Sequence, residues 1–133
     1  MKRNTLLSVL RQRLEKEGGD IPREHILMVH TIIARVPTEN ASRYLQQLCK
    51  HWSHNLAVEF TPEKGQVTFP REGRAGSWPS DAVLKMQALA DTLECVLEGS
   101  SAEHCEVLKG VVQSHLDRFA FREAPLGFDW QTA

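Results

Sequence analysis

The sequence is short of the features that would announce a function. It holds only three cysteines, Cys49, Cys95 and Cys105, and no Cys-x-x-Cys spacing. That odd, scattered set fits free thiols in a reducing compartment better than a disulfide framework, so a cytoplasmic location is expected. No apolar run approaches the roughly 20 residues of a bilayer span, and no membrane partner is expected. Thr5 to Leu10 follows two basic residues but is too short for a signal-peptide core, and Arg11 and Arg13 come at once. Neither sign of charge dominates: 16 Lys and Arg against 17 Asp and Glu give a net of -1. A nucleic-acid binder carries a strong basic excess, so no nucleic-acid partner is expected. There is no Gly-x-Ser-x-Gly, no Gly-x-Gly-x-x-Gly, no phosphate-binding loop and no Cys/His nucleophile signature. An enzyme is unsupported by the residues, and no cofactor is named by them.

What is present is an ordinary globular composition. The 133 residues are 41% hydrophobic and 25% charged, enough for one domain and too few for two cores. Residues 1–24 read as a helical extension and 25–133 as a single α+β domain. Leu6, Leu10 and Leu14 recur every fourth position before Gly18-Gly19 stops the pattern. Ile26 to Val36 is rich in β-branched residues and reads as a strand. Its alternation sets His30, Ile32, Ala34 and Val36 against Val29, Thr31, Ile33 and Arg35. Thr38 or Asn40 can cap the helix that follows. Ala41, Tyr44, Leu45, Leu48 and Trp52 form its apolar stripe, so one face packs on a sheet and the other is wet.

Leu56 to Thr61 and Gln66 to Phe69 read as a hairpin turning at Pro62 to Gly65. Residues 70–81, with Pro70, Gly73, Gly76, Pro79 and an isolated Trp78, read as a loop. Residues 82–98 fit both a helical stripe and strand alternation. From Ser101 a second helix carries Cys105, Leu108, Val112, Leu116 and Phe119 on one face. Leu126, Phe128 and Trp130 then alternate with Gly127, Asp129 and Gln131 as a closing strand.

Two segments carry a family resemblance. One is ARVPTENASRYLQQLCKHW, residues 34–52. The other is VVQSHLDRFAFRE, residues 111–123, followed by FDWQ. Together they resemble the small bacterial family catalogued as domain of unknown function 2218. The resemblance implies two short strands joined by an acidic turn before the last helix, so 82–98 becomes a hairpin turning near Ala90-Asp91. The implied order is β-α-β-β-β-β-α-β. Two helices then cover one face of a curved antiparallel sheet, like half of a TATA-box-binding-protein-like fold, with the N-terminal helix as an extra. Relatives fused to reductases that resemble siderophore-interacting flavoproteins imply an accessory role in siderophore-iron utilisation.

Three surfaces could carry function. His115 interrupts the apolar stripe of the last helix, so it is expected to be partly buried with one ring nitrogen hydrogen-bonded. With Arg118 and Arg122 it could hold a carboxylate or phosphate. His51-x-x-His54 could offer two imidazoles to a metal, although four-coordinate sites need further ligands. These histidines also carry the rival reading of a small metal-, haem- or anion-binding protein or a minor enzyme. The third surface is the sheet face away from the helices. It displays Thr31, Arg35, Glu59, Lys85 and Glu94 among β-branched residues and is acidic on balance. It suits a partner such as a flavin-dependent siderophore reductase, or a second copy of the chain.

Overall fold

The computed structural model of the protein describes residues 30–73 and 76–133. The expected N-terminal helix, and the part of the first strand before His30, lie outside the described residues. Strand β1 is His30–Pro37 and helix α1 is Ala41–Trp52. Strands β2 (Ala57–Phe60) and β3 (Lys64–Phe69) form the first hairpin. A small ladder of β4 (Glu72–Gly73) and β5 (Gly76–Ser77) interrupts the stretch read as plain loop. Strands β6 (Ala82–Ala88) and β7 (Thr92–Gly99) form the second hairpin. Helix α2 is Ala102–Phe119 and β8 is Gln131–Thr132.

The six main strands run β2-β3-β6-β7-β1-β8, and every neighbouring pair is antiparallel. Both helices lie on one face: α1 over β2, β3, β6 and β7, and α2 over β7 and β1. The core fills the space between. Ile32, Ala34 and Val36 of β1, Leu84 and Met86 of β6, and Leu93, Cys95 and Leu97 of β7 point into it. They meet Tyr44, Leu45, Leu48 and Trp52 of α1 and Leu108, Val112 and Leu116 of α2. The helix-sheet antiparallel class expected from the sequence is therefore the observed one.

The disputed segment is a hairpin, with Ala88 opposite Leu93 and Val83 opposite Glu98. Its turn closes with the Leu89 amide donating to the Thr92 carbonyl at 2.8 Å. Among the described residues no non-glycine has a positive φ, so this turn needs no left-handed residue and hence no glycine. Helical spacing arises here only because two short strands with Leu and Met on one face also match a period near four.

The closing strand is shorter than its alternation implies. Leu126 donates its backbone amide to Asp117 at 2.9 Å, and the Trp130 indole donates to Gln113 at 2.8 Å. The tail is thus tied to α2 side chains, and only Gln131 and Thr132 reach β1. The capping expectation for α1 also needs correction. Asn40 occupies the cap position but makes no side-chain cap bond. Thr38 Oγ1 accepts only the Asn40 amide, at 3.0 Å. The Asn40 amide side chain is drawn elsewhere, to a carboxylate described below.

Candidate functional site

Strand β1 ends at Pro37, where the chain turns into α1. The Thr38 amide donates to the Asp91 carbonyl at 3.0 Å, which ties this turn to the tip of the β6–β7 hairpin. Glu123, just beyond α2, reaches the same corner. Its Oε2 accepts from Thr38 Oγ1 at 3.1 Å, from Asn40 Nδ2 at 2.9 Å and from the Tyr44 hydroxyl. A helix cap would use the Asn40 side-chain oxygen as an acceptor; here its Nδ2 donates a charge-assisted bond to Glu123, and the side chain makes no cap bond.

The electrostatics follow from these bonds. The Tyr44 hydroxyl, then the Asn40 amide, hold the Glu123 carboxyl below its ordinary range, and partial burial opposes them. The same hydrogen bond, with burial and the Glu123 charge, pushes the Tyr44 phenol above its usual value. At neutral pH the pair is a charged carboxylate and a neutral phenol. Glu123 borders an open groove of about 510 Å³ whose other lining residues are Pro37, Thr38, Glu39, Asn40 and Asp91. Three of these are carboxylates, and none of the six is Lys, Arg or His.

His115 behaves as its position implies. It is half-buried, and Nδ1 lies 2.8 Å from the Val111 carbonyl. Arg118 and Arg122 are both exposed, and the Arg122 guanidinium rests over the Phe121 ring at 5.6 Å. His115 faces α1: its ring centroid is 5.5 Å from that of His51 and 5.0 Å from that of Trp52. His51 also meets Phe119 edge-on at 5.8 Å. His54 lies exposed in the turn after α1. The structure therefore pairs His51 across the helices with His115. Among the described residues no group of three or more His, Cys, Asp or Glu is arranged to hold a metal.

The open sheet face has the expected membership. One cross-strand row runs Glu59, Gln66, Lys85, Val96, Ile33 and Gln131 from edge to edge. Arg35 pairs with Glu94 at 3.3 Å and Lys85 with Glu98 at 3.5 Å. Thr31 is half-buried beside them, opposite Glu98.

Two features escaped the sequence. His104 lies in the first turn of α2, a position that gives no sign of burial, yet it is 1% exposed. Its Nδ1 accepts the Ser100 amide at 3.0 Å, and Trp78 stacks on its ring at 4.4 Å. Burial lowers its pKa. The Glu123 cluster is the other, because its bond to Tyr44 spans 79 positions. The only available signal was that Thr38, Asn40 and Tyr44 sit in one of the two resembling segments and Glu123 ends the other. The thiols are not candidates for chemistry: burial pushes Cys49 and Cys105 up to about 11 and Cys95 to about 12.

No curated protein matches the chain. Among solved structures, it is similar to the protein described as "NMR structure of PA4090 from Pseudomonas aeruginosa". The two share 30% identity at a TM-score of 0.59, over 77% of this chain and 95% of that one. A family model, described as "Uncharacterized protein conserved in bacteria (DUF2218)", matches residues 33–131. That span holds nearly all of the described sheet, both helices and the whole Glu123 cluster, and the chain belongs to this bacterial family.

Proposed function

We propose that the protein is a binding domain rather than a catalyst, and that its ligand site is the groove beside Glu123. The observation that carries this reading is the state of that carboxylate. Three neutral donors converge on one oxygen and keep the group ionised, while the lining of the groove supplies no cation. Glu39 and Asp91 add two further carboxylates at the rim. Such a site recognises a small cationic group, an ammonium or a guanidinium. The two segments that carry the family resemblance meet here and nowhere else at a shared charged group among the described hydrogen bonds.

The test is an NMR titration with spermidine and with methylguanidine, using potassium chloride at equal ionic strength as control. Saturable shifts at Thr38, Asn40 and Asp91 are expected with the amines alone. Asp91→Asn, which leaves the Glu123 bonds intact, should weaken binding about three- to ten-fold, and Glu123→Gln by more. Shifts that the chloride salt reproduces, or that survive both substitutions, overturn the reading.

The wider role, service to siderophore-iron utilisation beside a flavin-dependent siderophore reductase or as a homodimer, is supported by the family resemblance and by the mixed apolar and charged residues of the sheet face away from the helices. Comigration with such a reductase on size exclusion, abolished by Arg35→Glu, tests it. The anion reading at His115, Arg118 and Arg122 is favoured less, because both arginines are exposed and the imidazole packs against the His51 and Trp52 rings.

A further inference from the structure

The geometry points to a two-imidazole site for an exchangeable divalent transition-metal ion, built from His51 of α1 and His115 of α2. It is independent of the Glu123 groove. The first support is the tautomer. A carbonyl oxygen only accepts, so His115 Nδ1 carries the proton toward Val111 and the lone pair of the neutral ring sits on Nε2. A backbone carbonyl holding the far nitrogen is how metal-ligating histidines are oriented. The second support is spacing. With metal–nitrogen bonds of about 2.0–2.1 Å, a ring centroid lies about 3 Å from the ion, so two ligating imidazoles stand about 4.5–5.5 Å apart for angles from square to trigonal. The observed separation is 5.5 Å. The third is support around the rings. Trp52 backs His115 and Phe119 backs His51, which narrows their rotamer freedom, while His51 itself is exposed and open to entry.

With two protein ligands, water completes the coordination, and the site belongs to the weak, exchangeable class rather than to closed structural sites. Imidazole donors suit Cu²⁺, Ni²⁺ and Zn²⁺, and the general affinity order puts Cu²⁺ first. The pairing explains why the histidine of the first segment, rather than its sequence neighbour His54, bears on metal chemistry.

Copper sulfate added to the full chain is the probe. Bound Cu²⁺ would lie against Trp52 and quench its fluorescence, and electron paramagnetic resonance would show two imidazole nitrogens at one-to-one stoichiometry. His51→Gln changes an exposed side chain and should weaken binding about ten-fold or more. His115→Gln should do the same, and His54→Gln should have no effect. Three results overturn the proposal: binding unchanged in His51→Gln, binding lost in His54→Gln but kept in His115→Gln, and no saturable quenching below millimolar copper. Because His51 is solvent-exposed, its variant stays folded and the comparison stands even if His115→Gln is unstable.

Discussion

Single residues decide how this protein responds to acid. His104 is the histidine that matters, because it is enclosed and its Nδ1 is already committed as an acceptor from the Ser100 amide. Protonation would replace that acceptor with a second N–H facing a donor, and burial penalises the charge as well. Its folded pKa is accordingly lowered, with desolvation as the cause. As pH falls, the unfolded chain takes up the proton first, near ~6.5. The stability contribution is therefore complete above that value and is lost as pH falls toward the folded pKa. Denaturant midpoints from pH 8 to 5 should be flat and then decline, and His104→Gln should flatten the decline. An imidazole NMR titration placing His104 at or above the free value would contradict this.

At the scale of elements, the fold depends on how closely helix and sheet approach. Helix α1 crosses β3 at Gly65, where an added Cβ would sit 2.8 Å from Cys49 Sγ and 3.3 Å from Leu45 Cδ2. Both neighbours are fully enclosed and cannot swing aside. Gly65→Ala should therefore destabilise by about 1–3 kcal/mol through overpacking. Adding Cys49→Ala removes the nearest atom, so the double variant should be more stable than additivity predicts. Urea unfolding of the four proteins closes this cycle, and strict additivity would mean that α1 does not rest on β3 at this point. The β6–β7 hairpin depends on the same approach. Its inward Leu84, Met86, Leu93, Cys95 and Leu97 lie at two-residue spacing under both helices, while Lys85, Gln87 and Glu94 point away.

For the whole molecule the asymmetry between the two sheet faces is the main consequence. One face carries the core. The other is not simply a wet surface, because Ile33, Val96 and Glu98 are 6%, 9% and 9% exposed. Glu98 Oε1 has Lys85 as its cation, and Oε2 has no hydrogen-bond partner. Lys85→Met keeps the aliphatic stem and strands the carboxylate, which should cost about 2–3 kcal/mol, below the fully buried case because the lysine is partly solvated. The double variant Lys85→Met/Glu98→Gln should recover most of that loss. A Lys85→Met protein with an unchanged denaturant midpoint would show that Glu98 is solvated in solution.

Sequence by itself determined the parts that rest on local periodicity. The stripe Ala41, Tyr44, Leu45, Leu48 and Trp52 fixes which side of α1 is buried, and alternation fixes the two faces of β1, since side-chain direction follows from backbone geometry. It also located the open face, because register in a half-buried sheet is set by the same alternation. The choice between helix and hairpin for 82–98 did not follow from periodicity, because Leu and Met at those spacings satisfy both. It followed from the family resemblance, and antiparallel pairing with β3 and β7 agrees. Tertiary structure alone decided which polar and aromatic side chains meet. His51 pairs with His115 rather than His54 because α1 and α2 lie side by side. His104 is buried because the Trp78 loop folds over it. Glu123 gathers Thr38, Asn40 and Tyr44 because the end of α2 reaches the start of α1. Each of these is a contact between segments far apart along the chain, made by the packing of two helices on one sheet, and side-chain spacing within a segment carries no information about it.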